Sequence, residues 1–257
     1  MEIQHLSEII GAALGPAELA VCALALVRRL WRFLPYFVAY LVLLVLVEGA
    51  RWCAVWAAGA GSPAHSWVYW MSQPVLILAR AAALADVCRA ALGPYRGVWK
   101  FARPLLMLAA TLMLALAALR SNGTHWIFSY LIFLERELEF AVVISLLSLL
   151  VLSRYYGMAL ERPLNLIALG LGFYSCQIIV RDTMILMALN LQWWWFSLAN
   201  SIAFAITLVA WASALWWPLP ERARPELSSA ESYEQTSRVV SGRMRELNER
   251  LLNLMRQ

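Results

Sequence analysis

The sequence predicts an all-α polytopic membrane protein, a bundle of seven transmembrane helices with the N-terminus outside and the C-terminus in the cytoplasm. Three observations predict it. Of 257 residues, 62% are hydrophobic and 14% charged, at a mean hydropathy of +0.66; soluble domains are about half apolar and about a quarter charged. Apolar stretches approaching the roughly 20 residues needed to cross hydrocarbon recur along the chain. The basic residues crowd into alternate connections between those stretches. Thirteen Trp and nine Tyr supply the amphipathic rings that collect at water–lipid interfaces. Disorder, collagen, a disulfide-rich secreted domain and a soluble nucleic-acid binder are excluded as the main story, and no nucleic-acid partner is expected.

Seven spans follow in order. The first covers roughly Glu8 to Arg28 and contains Gly15, Pro16 and Glu18. The next three are Leu34 to Trp56, Trp67 to Arg89 and Phe101 to Leu119. The last three are Trp126 to Leu152, Pro163 to Leu186 and Trp194 to Trp217. Arg28, Arg29 and Arg32 follow span one; Arg89, Arg96, Lys100 and Arg103 follow span three; Arg154 and Arg162 follow span five; Arg222 and Arg224 follow span seven. The other connections contain only Arg120, so the positive-inside rule sets the orientation. The N-terminus MEIQHLS lacks the basic flank of a cleavable signal peptide.

Charged residues inside the spans are the features that composition does not explain, because a charge in mid-membrane is expensive and by default marks a functional site. Glu18, Arg80 and Glu139 fall near the midplane, and Glu48 and Arg51 share one face of the outer half of span two. Span five begins with Glu135, Arg136, Glu137 and Glu139; Glu135 and Glu139 share a face, whereas Arg136 and Glu137 are expected to point elsewhere. Arg181 and Asp182 end span six near the outer surface, while Asp86 lies towards the cytoplasmic end of span three. Pairing in the bundle interior avoids the cost of lipid exposure, so Arg51 and Arg80 are expected to pair with some of Glu18, Glu48, Glu135 and Glu139. Together with Arg181 these form a ligand-binding or structural ion-pair cluster. Three roles stay open: ion pairs that pin helices, an outward-facing polar pocket for a small charged ligand, or a transport path.

Other chemistries find little footing. Cys22, Cys53, Cys88 and Cys176 are scattered singly in apolar stretches, which suits neither a disulfide framework nor a zinc site. His5, His65 and His125 all fall on the outer side without ligand spacing, and no mid-span His could hold a membrane haem. No metal and no cofactor is therefore expected. Span seven has no lysine for a retinal Schiff base. HExxH, GxSxG and glycine-rich phosphate loops do not occur, and Ser66, Ser129 and Ser201 have no evident base, so no catalytic residue is expected. Asn122-Gly123-Thr124 has the form of a glycosylation sequon and also of a tight turn.

Residues 1–218 thus read as the transmembrane domain, 219–237 as a flexible cytoplasmic linker, and 238–257 as an amphipathic cytoplasmic helix. In that helix Val240, Met244, Leu247, Leu251 and Leu254 recur at heptad steps over about two heptads. The seam suits docking on the anionic inner leaflet, on a cytoplasmic protein partner, or on a second copy of the chain.

Three short segments, Leu134-Glu135-Arg136-Glu137, Arg154-Tyr155-Tyr156-Gly157 and Arg245-Glu246-Leu247-Asn248-Glu249-Arg250-Leu251, carry a resemblance. On them the chain resembles uncharacterised seven-helix integral membrane proteins of soil bacteria. The resemblance implies the fold over nearly the full chain and no activity. The expectation is a non-enzymatic sensory or scaffolding component of a bacterial inner membrane, with a small-solute transporter as the alternative.

Overall fold

The computed structural model describes residues 2–59, 62–93, 96–120, 126–155, 161–186 and 193–217. Among these, every regular element is helical: α1 (Glu2–Val27), α2 (Pro35–Ala58), α3 (Pro63–Leu92), α4 (Arg96–Arg120), α5 (Trp126–Tyr155), α6 (Arg162–Leu186) and α7 (Trp193–Trp216), with a 3-10 turn at Leu30–Arg32. Three stretches are long and apolar enough to cross a membrane: Pro35–Ala58, Arg162–Ile185 and Leu198–Trp216. Ala13–Val27 and Leu106–Leu119 are shorter apolar stretches. On α3 the apolar run is interrupted by Arg80, Asp86 and Arg89.

Local chemistry sets the helix ends. Pro35 and Pro63 each sit at the first turn of a helix, where a missing N–H costs nothing and the fixed φ is already helical. Ser62 caps α3 by accepting a bond from the His65 N–H at 3.2 Å. Gly59 closes α2 at φ 87°, a conformation that suits a residue without Cβ. Arg29 follows α1 in the same left-handed region at φ 56°, and its turn is anchored by the fully buried Leu30 and Leu34. Pro16, Pro74 and Pro104 lie inside helices.

The helices close into a ring in which α1 packs between α2 and α7, α2 packs on α3, and α6 packs on both α5 and α7. Helix α3 is the hub, meeting α2, α4, α5 and α6. The main apolar core lies towards the end where α2 begins and α7 finishes, centred on the fully buried Trp211. Its indole meets Phe37 edge to face at 5.3 Å and Tyr40 at 6.1 Å, and Nε1 donates to the Ile167 carbonyl at 3.3 Å. Gly170 makes room for it: a Cβ there would stand 2.6 Å from Nε1. Such edge-to-face pairs add about 0.5–1.5 kcal/mol beyond burial.

The polarity of the bundle is inverted relative to a soluble domain. Leu19, Leu46, Leu78, Leu112, Leu147, Phe173 and Val209 face outward, one from each helix, while Glu18, Arg80, Glu135, Glu137, Glu139 and Asp182 are buried. Trp31, Tyr36, Trp216 and Trp217 are exposed at one end and Trp52, Trp56 and Trp67 at the other.

Candidate functional site

Arg80, from the middle of α3, is 3% exposed, and its position needs a counter-charge, since an unpaired buried charge is far costlier than a paired one. Helix α5 supplies two. Glu135 and Glu139 are one helical turn apart and therefore on one face. Arg80 Nη1 donates to Glu139 Oε1 and lies 3.9 Å from Glu135 Oε1. Glu135 then bridges onward, its Oε2 accepting from Arg181 Nη2 at 2.9 Å, and Arg181 also holds the neighbouring Asp182 Oδ1 at 2.8 Å. The result is one continuous chain of charges, Glu139–Arg80–Glu135–Arg181–Asp182, tying α3, α5 and α6.

Aromatic rings line this chain. The Arg80 guanidinium stands over Tyr174 of α6 at 5.2 Å and over Tyr40 of α2 at 5.9 Å, so ring faces replace part of the hydration it has lost. Several buried atoms have no hydrogen-bond partner among the described residues: Glu139 Oε2, Asp182 Oδ2, the Tyr40 hydroxyl and Ser175 Oγ.

A second, more open pair lies nearer the end of α2. Arg51 and Glu48 approach to 3.7 Å, with the Glu48 side chain 38% exposed. Arg51 also donates to Ser72 Oγ at 3.1 Å and stacks on Tyr69 at 4.5 Å, fixing α2 to α3. Glu18 of α1 is buried within electrostatic range of Glu48 and Arg51, yet makes no hydrogen bond or ion pair among the described residues.

The expected cluster residues therefore divide into two groups. Arg80, Glu135, Glu139 and Arg181 form the central network; Glu48 and Arg51 form the open pair; Glu18 stands beside them unpaired. Glu137 is buried at 8% exposure outside the central network, where it accepts from Arg136 Nη2 at 2.9 Å while the Arg136 guanidinium stacks on Phe133 at 5.3 Å. Sequence reasoning missed Tyr40, Tyr69, Ser72 and Tyr174. For Tyr174 a signal existed: it lies seven residues before Arg181, as Ser175 lies seven before Asp182, so each pair shares a helix face.

Asp86 does a different job. Its Oδ2 accepts from the backbone N–H of Tyr36 at 2.8 Å and of Phe37 at 3.4 Å, so a side chain of α3 caps the start of α2. Beside it lies a cleft of about 550 Å³ lined by Tyr36, Ala85, Asp86, Arg89, Arg103, Leu106 and Met107. A smaller cleft of about 180 Å³ adjoins it, lined by Phe33, Pro35, Asp86, Arg89 and Ala90. Both open at the arginine-rich end.

Among the described residues no three His, Cys, Asp or Glu side chains are placed to hold a metal ion. His5, His125 and the tail residues Val240, Met244, Leu247, Leu251 and Leu254 lie outside the described side chains. No family model, curated protein or solved structure matches the chain.

Proposed function

We propose that the chain is a seven-span protein of a bacterial inner membrane, N-terminus outside and C-terminus in the cytoplasm, acting as a non-enzymatic sensory or scaffolding component. The observation that carries this reading is the inverted polarity: buried charges converge on Arg80 while every helix turns large apolar side chains outward. The exposed Trp and Tyr residues at both ends are what two membrane interfaces would select. Only the bilayer offers an apolar surround to all seven outward faces.

A small ligand reaches the network from the outer side, past the partly exposed Glu48 and Arg51. On the inner side the stacked Phe37, Trp211 and Tyr40, all fully buried, separate Arg80 from Asp86. Those two residues are six apart on α3, about 9 Å along its axis. Access from one side suits a receptor; the alternative, a small-solute transporter using the same charges, needs that aromatic plug to open in each cycle. The segment 238–257 carries the response to a cytoplasmic partner, a second copy or the inner leaflet.

The test is a screen of small charged molecules for a raised thermal midpoint of the detergent-purified protein, followed by uptake in proteoliposomes. A ligand bound only by the folded state raises the midpoint. The receptor reading expects stabilisation that an Arg80→Gln, Glu139→Gln double variant lacks, without accumulation of the ligand. Accumulation inside the vesicles overturns it in favour of transport.

A further inference from the structure

The central network contains two arginines, Arg80 and Arg181, against three carboxylates, Glu135, Glu139 and Asp182. All three carboxylates are at least nine-tenths buried. Fully ionised, the group would hold one uncompensated negative charge in the interior, which is the arrangement that buried ion networks avoid. Each outermost carboxylate also has one buried oxygen without a donor, Glu139 Oε2 at one end and Asp182 Oδ2 at the other. One bound proton cancels the uncompensated charge and occupies one of these two oxygens.

We propose that this network as a whole carries one bound proton at neutral pH, held as a carboxylic acid. Among the described residues the surroundings offer no other source of positive charge. Tyr40, Tyr69, Tyr174 and Cys176 face the network from α2, α3 and α6, and none of them is a cation. Glu18 of α1 interacts with Tyr40 and is itself acidic. Arg136 is engaged by Glu137, and Arg51 by Glu48. Helix α7 has no ionisable side chain, and α4 has none between Arg103 and Arg120. A metal ion fits less well than a proton, because it needs several oxygens converging on one point and no such group of carboxylates occurs among the described residues. The proton comes from water and returns to it; no other reactant is involved. The site makes the protein able to bind and release protons inside the bundle, independently of whether it also binds a small ligand.

Infrared spectroscopy of the purified full chain tests this. A Glu18→Gln, Asp86→Asn background removes the two other buried carboxyls that have no ion-pair partner among the described residues. In that background the carboxylic-acid C=O band, shifted by deuterium oxide, is expected at neutral pH and is expected to bleach as the pH is raised. Glu139→Gln and Asp182→Asn each leave two arginines facing two carboxylates, so each is expected to abolish the band. Thermal midpoints give the second readout. Carboxyls in an unfolded chain are ionised at neutral pH, so a folded state holding an extra proton loses stability as pH rises from about 6 to about 9; the two variants are expected to be flat over that range. Absence of the band in the background protein overturns the proposal, as does a band that persists in both variants. A band removed by Na⁺ at constant pH overturns it in favour of a cation. Should a variant fail to fold, the background protein decides alone: a band that bleaches with pH supports the proton, and one that does not overturns it.

Discussion

Replacing Gly170 with alanine sets two effects of opposite sign against each other. Gly to Ala in a helix interior favours the helix by about 1 kcal/mol. The new methyl, however, would stand 2.6 Å from Nε1 and 2.9 Å from Cδ1 of Trp211, closer than carbon and nitrogen can approach. The indole cannot give way freely, because it is fully buried and wedged between Phe37 and Tyr40. Overpacking of that kind costs about 1–3 kcal/mol. Shifting the ring also breaks the Nε1–H bond to the Ile167 carbonyl, and an unsatisfied buried donor costs about 1–3 kcal/mol more. The losses exceed the propensity gain, so Gly170→Ala is expected to destabilise by about 1–5 kcal/mol. Equilibrium unfolding in mixed detergent micelles, followed by circular dichroism, measures it. A Trp211→Phe partner substitution removes the clashing five-membered ring, so the double variant is expected to be more stable than the two single losses added together. A Gly170→Ala protein as stable as the parent, or more so, would refute the packing argument.

Arg80→Gln leaves Glu139 buried without its guanidinium, while Glu135 keeps Arg181, and is expected to cost about 3–5 kcal/mol, whereas the Arg80→Gln, Glu139→Gln pair costs less than that single change; the same unfolding assay ranks them. Asp86→Ala strips the cap from the Tyr36 N–H and is expected to cost about 1–2 kcal/mol, with hydrogen exchange rising first at residues 35–38. Ser62→Ala removes the α3 cap at a cost of about 1 kcal/mol, read as a lower midpoint with unchanged ligand response. For orientation, single cysteines placed at Gly59 and at Lys100 are expected to react with an impermeant thiol reagent from opposite sides of intact cells; same-side labelling overturns the proposed topology.

Hydropathy located the helices because each must bury or lipid-pack about 20 residues, and each of the seven helices overlaps a predicted span. It could not set their ends. Helix α3 was expected from Trp67 to Arg89 and runs Pro63–Leu92, because its start is set by the Ser62 cap and Pro63 rather than by where the apolar run begins. The Glu48–Arg51 contact was legible from spacing within one helix. Arg181 was legible as a cluster residue, but its bridge to Glu135 spans 46 residues and depends on how α5 lies against α6. Asp86 reads in sequence as a lone inner charge. Its role as a cap on a different helix 50 residues away needs the tertiary contact. The burial of Glu137 was not legible, because a neighbour in sequence, Arg136, can follow a carboxylate inward by bending its long stem.

Helix α3 is a stiff rod clamped at two stations. At one, Arg80 is gripped by the carboxylates of α5; at the other, Asp86 holds the first turn of α2. A rod cannot slide past one clamp without moving the other. Any event that pulls Arg80 along the axis of α3 therefore tugs on the 2.8 Å bond to the Tyr36 N–H about 9 Å further along that axis. The displacement needed is small, since a hydrogen bond weakens steeply once stretched beyond about 3.2 Å. The molecule thus contains a mechanical linkage whose stroke is a fraction of an ångström and whose output is the loosening of one helix start.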